Sequence, residues 1–230
     1  MAYVNMYGGL TLELPKWLEE FRQQLTDVDN KEQSLDQTAS WRMTRLREAI
    51  VRAKGERSLA PEIVAELQVL YAVAALEVRG TEQVEAVESA IASLQEALKV
   101  YTLAQYPYQH ARTHVFLSLA FQSRSKGSRR ANLEQALASY DAATEGYQSE
   151  PFPMQMEATR LTRDNSFSQP MIDEKIAELK QAIARCQVAL QEAMQQEKEA
   201  FDPDKTLRVM RKPVDHARFD HKEEPVRIAR

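Results

Sequence analysis

Apolar residues recur three and four positions apart along most of this chain, the period of a helix that hides one face. Val64, Leu67, Tyr71, Ala74 and Val78 predict a helix opened by Pro61 and stopped by Gly80. Val84, Val87, Ile91, Leu94, Leu98 and Tyr101 predict a second, capped by Thr81 and running through Ala104. Two more are predicted from His110 to Ser125 and from Ala131 to Tyr147, with Gly127 between them and Pro151 and Pro153 beyond. Ahead of these, Pro15 suits the first turn of a short helix with Trp17, Leu18, Phe21 and Leu25 on one face. A polar connector leads to a helix from Trp41 to Lys54, with Ser40 as its cap and Gly55 as its stop. Only residues 1–14 lack the period. There Gly8-Gly9 and the alternating Leu10, Leu12 and Leu14 predict an extended arm. Every later glycine except Gly146 falls where a helix should end, so the fold class is all-α.

From Pro170 to Phe201 the pattern changes character. Ile172, Ile176, Leu179, Ile183, Cys186, Leu190 and Met194 follow a near-heptad seam on one long amphipathic helix. Such a seam either caps a helical array, whose last apolar face needs cover, or pairs with a second chain. Residues 202–230 hold Pro203, Pro213 and Pro225 and little periodicity, which predicts an extended basic tail.

Internal repetition sharpens the picture. Leu94, Ala97, Leu98 and Tyr101 recur as Leu133, Ala136, Leu137 and Tyr140, an offset of about 40 residues that marks stacked helix pairs. With Ala111, His114, Leu117, Ser118 and Phe121 on one helix, and Ala136, Tyr140 and Ala143 on the next, the chain resembles the tetratricopeptide repeat. A preceding unit uses Val64, Leu67 and Tyr71, then Ala97, Tyr101 and Ala104. A third begins near Ala158 and is incomplete. The wording is similar to the long-period repeats of bacterial, including cyanobacterial, proteins. The resemblance spans about residues 60–163 and implies a short right-handed array with helix pairs over 61–163, preceded by N-terminal helices over 15–60. The chain departs from the family pattern at His114, where an aromatic is common, and at Gln68, where a small residue is expected. Its 111–143 unit also has a longer loop.

Composition removes several functional classes. A net charge of −4 gives no general drive toward nucleic acid, and the lone Cys186 excludes a disulfide framework. No apolar run reaches the roughly 18 residues of a membrane span, and residues 1–14 lack the order of a secretory signal, so a cytoplasmic protein is expected. There is no phosphate loop, nucleophile elbow or His-Glu-x-x-His pair, so neither an enzyme nor a cofactor is expected. His110 and His114 have a metal-ligand spacing, but no carboxylate follows within a turn and Arg112 stands between them, so no metal is expected. The Asp215-His216 and Asp220-His221 pairs lie in the aperiodic tail, which does not position ligands.

What remains is recognition. The resemblance implies a protein-binding groove lined by the first helix of each unit: Glu62, Ala65, Val69 and Ala72, then Arg112, Val115, Leu119, Gln122 and Ser123. That lining suits an amphipathic helix or extended peptide, or the chain's own arm through Tyr3, Val4, Met6 and Tyr7. A non-enzymatic adaptor, scaffold or assembly factor is the leading expectation. The alternative is a structural subunit of a larger complex, or a homo-oligomer, held by the seam (Ile172, Ile176, Leu179, Ile183, Leu190) and the tail. In that tail Arg208, Arg211, Lys212, Arg218, Phe219 and Arg227 mix charge with apolar surface as a docking segment does. Nucleic-acid binding through Arg42, Arg45, Arg47, Arg52, Lys54 and Arg57 is a third reading. It is weakened by the acidic residues that follow, which can neutralise that helix.

Overall fold

The computed structural model describes residues 3–4, 11–12, 15–29, 35–149 and 169–200. Those residues form seven α-helices: α1 Lys16–Asp29, α2 Leu35–Gly55, α3 Pro61–Glu77, α4 Gln83–Ala97, α5 Pro107–Ser123, α6 Arg129–Gln148 and α7 Gln169–Ala200. A 3-10 turn, Gly80–Glu82, precedes α4. In the arm, β1 (Tyr3–Val4) pairs antiparallel with β2 (Thr11–Leu12), Tyr3 opposite Leu12 and Val4 opposite Thr11. The chain divides into two units, Met1–Ala193 and Met194–Arg230. Of the second, the described part is helical through Ala200. No described helix is long and apolar enough to cross a membrane.

Within the first unit, consecutive helices pack on one another: α2 on α3, α3 on α4, α4 on α5 and α5 on α6, with a further contact between α3 and α5. This is a succession of packed helix pairs, compatible with a repeat architecture. Leu94, Tyr101 and Leu133 are among the largest fully buried side chains, and Tyr140 is buried too, so these repeated positions are core positions, while Leu98 and Leu137 are half-buried. Burying a side chain of that size contributes roughly 1.5–3 kcal/mol.

Two helices depart most from their expected bounds. Helix α2 begins at Leu35, so Ser40 is not its cap but an interior residue whose carbonyl accepts from Thr44 Oγ1 at 3.0 Å. Thr38 and Ala39 are buried, and packing there extends the helix past its sequence cap. Helix α4 starts after the 3-10 turn rather than at a Thr81 cap and stops at Ala97 rather than Ala104. The backbone then tightens through turns in which Tyr101 N donates to Ala97 O at 2.9 Å. No residue from 98 to 104 forbids helix. Tertiary bonds to Tyr101 decide the ending, as propensity is a weak prior against them.

Elsewhere the punctuation works locally. Gly80 and Gly127 take left-handed φ values of 77° and 81°, which cost glycine nothing. Ser128 caps α6 by accepting from Ala131 N at 3.1 Å, and the α5–α6 loop, residues 124–128, is short, not the longer loop expected for the 111–143 unit. That loop is tied to α4 by Arg124, which donates to both oxygens of Glu88 at 2.7 and 2.9 Å, and by Lys126 to Glu85 at 2.7 Å. Gly146, the one glycine inside a helix, sits where α6 crosses α5. A Cβ there would lie 2.8 Å from Pro107 O and 2.9 Å from Ala111 Cβ.

On α7, Ile172, Leu179, Cys186 and Ala193 are buried at seven-residue intervals, and Ile176, Ile183 and Leu190 are half-buried. Cys186 Sγ sits 3.8 Å from the Leu133 carbonyl of α6, and burial pushes its thiol pKa up. The seam therefore faces into its own unit. Met194, read as part of that seam, is exposed, and Ala193 takes the buried position.

Candidate functional site

Helices α3 and α5 share one face of the array, and two bonds set their relation. Tyr106, just before α5, donates its hydroxyl to Glu62 at the start of α3. One turn on, Arg112 Nη2 donates to both oxygens of Glu66 at 2.8 and 2.6 Å. The two helices consequently run side by side in the same direction, and their shared face has two halves.

The N-terminal half is closed and polar. The Arg112 and Glu66 side chains are 9% and 14% exposed, so the pair is nearly dry. Burial alone would lower the Arg112 pKa, but the charge and hydrogen bonds of Glu66 outweigh it and hold it above the usual arginine value. Tyr101 donates to the Glu62 carbonyl at 3.0 Å and to Glu66 Oε2 at 3.1 Å. Its hydroxyl pKa is driven far upward by burial and by the Glu66 charge, so it stays a donor. Tyr106, hydrogen-bonded to Glu62 and partly buried, is pushed up to about 12. Tyr101 packs edge-on against Tyr106 at 5.7 Å, and Tyr108 against Tyr147 of α6 at 5.6 Å. Every partner here is internal.

The C-terminal half is apolar and open. Continuing along α3 from Glu66, the same face carries Leu70 and Val73; along α5 from Arg112 it carries Val115, Phe116 and Leu119. The first four are half-buried, and Leu119 is 43% exposed. Gln122, at the far end, donates from Nε2 to the Tyr140 hydroxyl at 2.7 Å, and Ser123 is exposed.

The expected lining is thus partly displaced. Ala65, Val69 and Ala72 do not line a groove; they are buried in the core. Their neighbours Glu66, Leu70 and Val73, one residue and about 100° around the helix, occupy the shared face instead. Small residues at 65, 69 and 72 serve close helix packing, which a pattern of apolar positions does not separate from a lining role. Arg112 is on the face but sequestered by Glu66, not a free polar handle. Val115, Leu119, Gln122 and Ser123 lie toward the open end, and Glu62 belongs to the closed end.

The basic helix is also engaged internally. Arg42 meets Glu77 at 3.0 Å, Arg45 meets Glu48 at 2.5 Å, and Arg47 donates to the Tyr71 hydroxyl at 3.0 Å. Arg52 lies 4.3 Å over the Trp17 ring and 3.4 Å from Glu56. A cavity of about 290 Å³ between α1 and α2 is lined by Trp17, Phe21, Gln24, Arg45, Ala49 and Arg52. Lys54 and Arg57 remain exposed. The tail residues Arg208, Arg211, Lys212, Arg218, Phe219 and Arg227, and the arm side chains Tyr3, Val4, Met6 and Tyr7, lie outside what is described.

Compared with models of known families, with curated proteins and with solved structures, the chain matches none of them.

Proposed function

We propose that the chain is a non-enzymatic adaptor or scaffold of the cytoplasm: a short array similar to tetratricopeptide repeats that holds a segment of another protein. The observation that carries this reading is the open half of the α3–α5 face. Leu70, Val73, Val115, Phe116 and Leu119 present partly uncovered apolar surface on two parallel helices, beside a half in which Arg112 and Glu66 are paired with each other. An amphipathic helix or extended peptide suits such a strip, its apolar side chains seating between the rows. The alternative of a subunit held by the α7 seam has less support, because the seam is buried within its own unit.

Affinity capture from the native host tests the reading. Wild type retains one dominant protein partner that Leu119→Glu loses, while circular dichroism stays unchanged. A partner retained equally by both proteins contradicts it.

A further inference from the structure

At other junctions of the array, acidic side chains meet a base from the neighbouring element. Glu66 meets Arg112, Glu77 meets Arg42, and Glu85 and Glu88 meet Lys126 and Arg124. Asp141 and Glu145 of α6 break that habit. They are exposed and one helical turn apart, and among the described residues neither is in an ion pair. Helix α7 alongside carries the exposed Lys180 and Arg185, and neither forms a salt bridge with them.

The two carboxylates line a cleft of about 400 Å³ between α6 and α7, completed by Thr144, Gln148, Ser149 and Ile183. The hydroxyls of Thr144 and Ser149 donate back to the Tyr140 and Glu145 carbonyls at 3.0 and 2.8 Å, so they satisfy their own helix. Helices α6 and α7 run antiparallel here, because Ile183 meets residues 141–149 whereas Cys186, further along α7, meets Leu133. The row of Ile183 continues in Ile176 and Leu190, half-buried at seven-residue spacing beside the buried Leu179 and Cys186. One wall of the cleft is therefore anionic with a one-turn repeat, and the other is apolar with a two-turn repeat. Both are helical periods, so a helix laid along the cleft matches both walls.

We infer that this cleft docks a basic amphipathic helix of a partner protein, with Lys or Arg at i and i+4 against Asp141 and Glu145 and an apolar side chain against Ile183. The site is separate from the open half of the α3–α5 face and stands or falls independently of it. Burial along the apolar row supplies the attraction, while the carboxylates select the occupant. An acidic amphipathic helix meets the same row but sets like charges against Asp141 and Glu145, which disfavours it.

Fluorescence anisotropy of the full-length protein with a labelled peptide of about 20 residues tests this. The peptide carries leucine in a heptad row with lysine at i and i+4 beside it, and a twin carries glutamate in place of each lysine. The lysine peptide is expected to bind saturably and the glutamate twin not to bind, a comparison that needs no variant. Asp141→Asn/Glu145→Gln, and separately Ile183→Gln, should weaken the lysine peptide about fivefold or more. Glu174→Gln/Glu178→Gln removes another exposed pair, roughly 140–180° around α7 from Ile183, and should leave affinity unchanged. The carboxylate changes are isosteric and lie at exposed positions, so circular dichroism should match wild type. No binding of the lysine peptide, equal binding of its twin, or affinity that Asp141→Asn/Glu145→Gln moves no more than the control pair does overturns the inference. So does a dimer, seen by light scattering, that Asp141→Asn/Glu145→Gln dissociates, which would assign the cleft to a second copy of this chain.

Discussion

The two halves of the α3–α5 face are built from the same pair of helices yet are opposites. Toward the N-termini, Glu62, Glu66, Tyr101, Tyr106 and Arg112 hydrogen-bond to one another. Toward the C-termini, Leu70, Val73, Val115 and Leu119 have no such closure and keep apolar surface within reach of water. The difference separates what fixes one helix pair against the next from the surface that the proposed recognition would use. A buried ion pair is weak evidence for stability, since desolvation offsets its attraction, but it is strongly directional. In this chain it registers one pair against the next.

The contrast can be broken most severely at the ion pair. Arg112→Met leaves the Glu66 carboxylate buried and unpaired, and urea unfolding should show a loss of about 3–5 kcal/mol. The double change Glu66→Leu/Arg112→Met should recover most of that, since removing both partners removes the uncompensated charge. A next, smaller effect is expected behind the closed half. Gly146→Ala drives a methyl against Pro107 O and Ala111 Cβ, both rigid backbone-anchored atoms, and should cost about 1–3 kcal/mol.

The same region should give the protein a distinct acid sensitivity. His114 has an ordinary pKa of 6.5 that burial and the neighbouring His110 lower to about 4 in the folded state. Between those values the unfolded chain binds the extra proton more readily, so stability declines as pH falls through that window and levels off below it. His114→Gln should flatten that decline by about 1–2 kcal/mol, allowing for the solvent that still reaches the ring. The smallest stability effect is expected on the open half. Leu119→Ser should change stability by no more than about 0.5 kcal/mol, because little burial is lost there. A larger loss would mean that this half is closed as well.

Much of the architecture was legible from the period of the apolar positions. Pro61, Gly55, Gly80, Gly127 and the α7 stripe all mark helix ends or buried faces as their local chemistry demands. What the sequence withheld depends on distant partners. The end of α4 at Ala97 is set by Tyr101 reaching Glu62 and Glu66, more than thirty residues upstream. Ala65, Val69 and Ala72, expected to line a groove, are buried in the core instead, because their small-apolar signature is the same whether they face a partner or a neighbouring helix. Arg112 shows the same limit. Its charge reads from sequence as a free handle, and only the fold brings Glu66 within 2.6 Å.

The most direct measurement of the central claim places a photo-crosslinking amino acid at position 119 in the native host and, separately, at position 51. Val51 is 68% exposed, more than Leu119, and belongs to α2 and not to either helix of the α3–α5 face, so it controls for exposure. A single dominant protein adduct from position 119, absent from position 51, is the predicted result. Equal or no adducts at the two positions would contradict a recognition role for the open half.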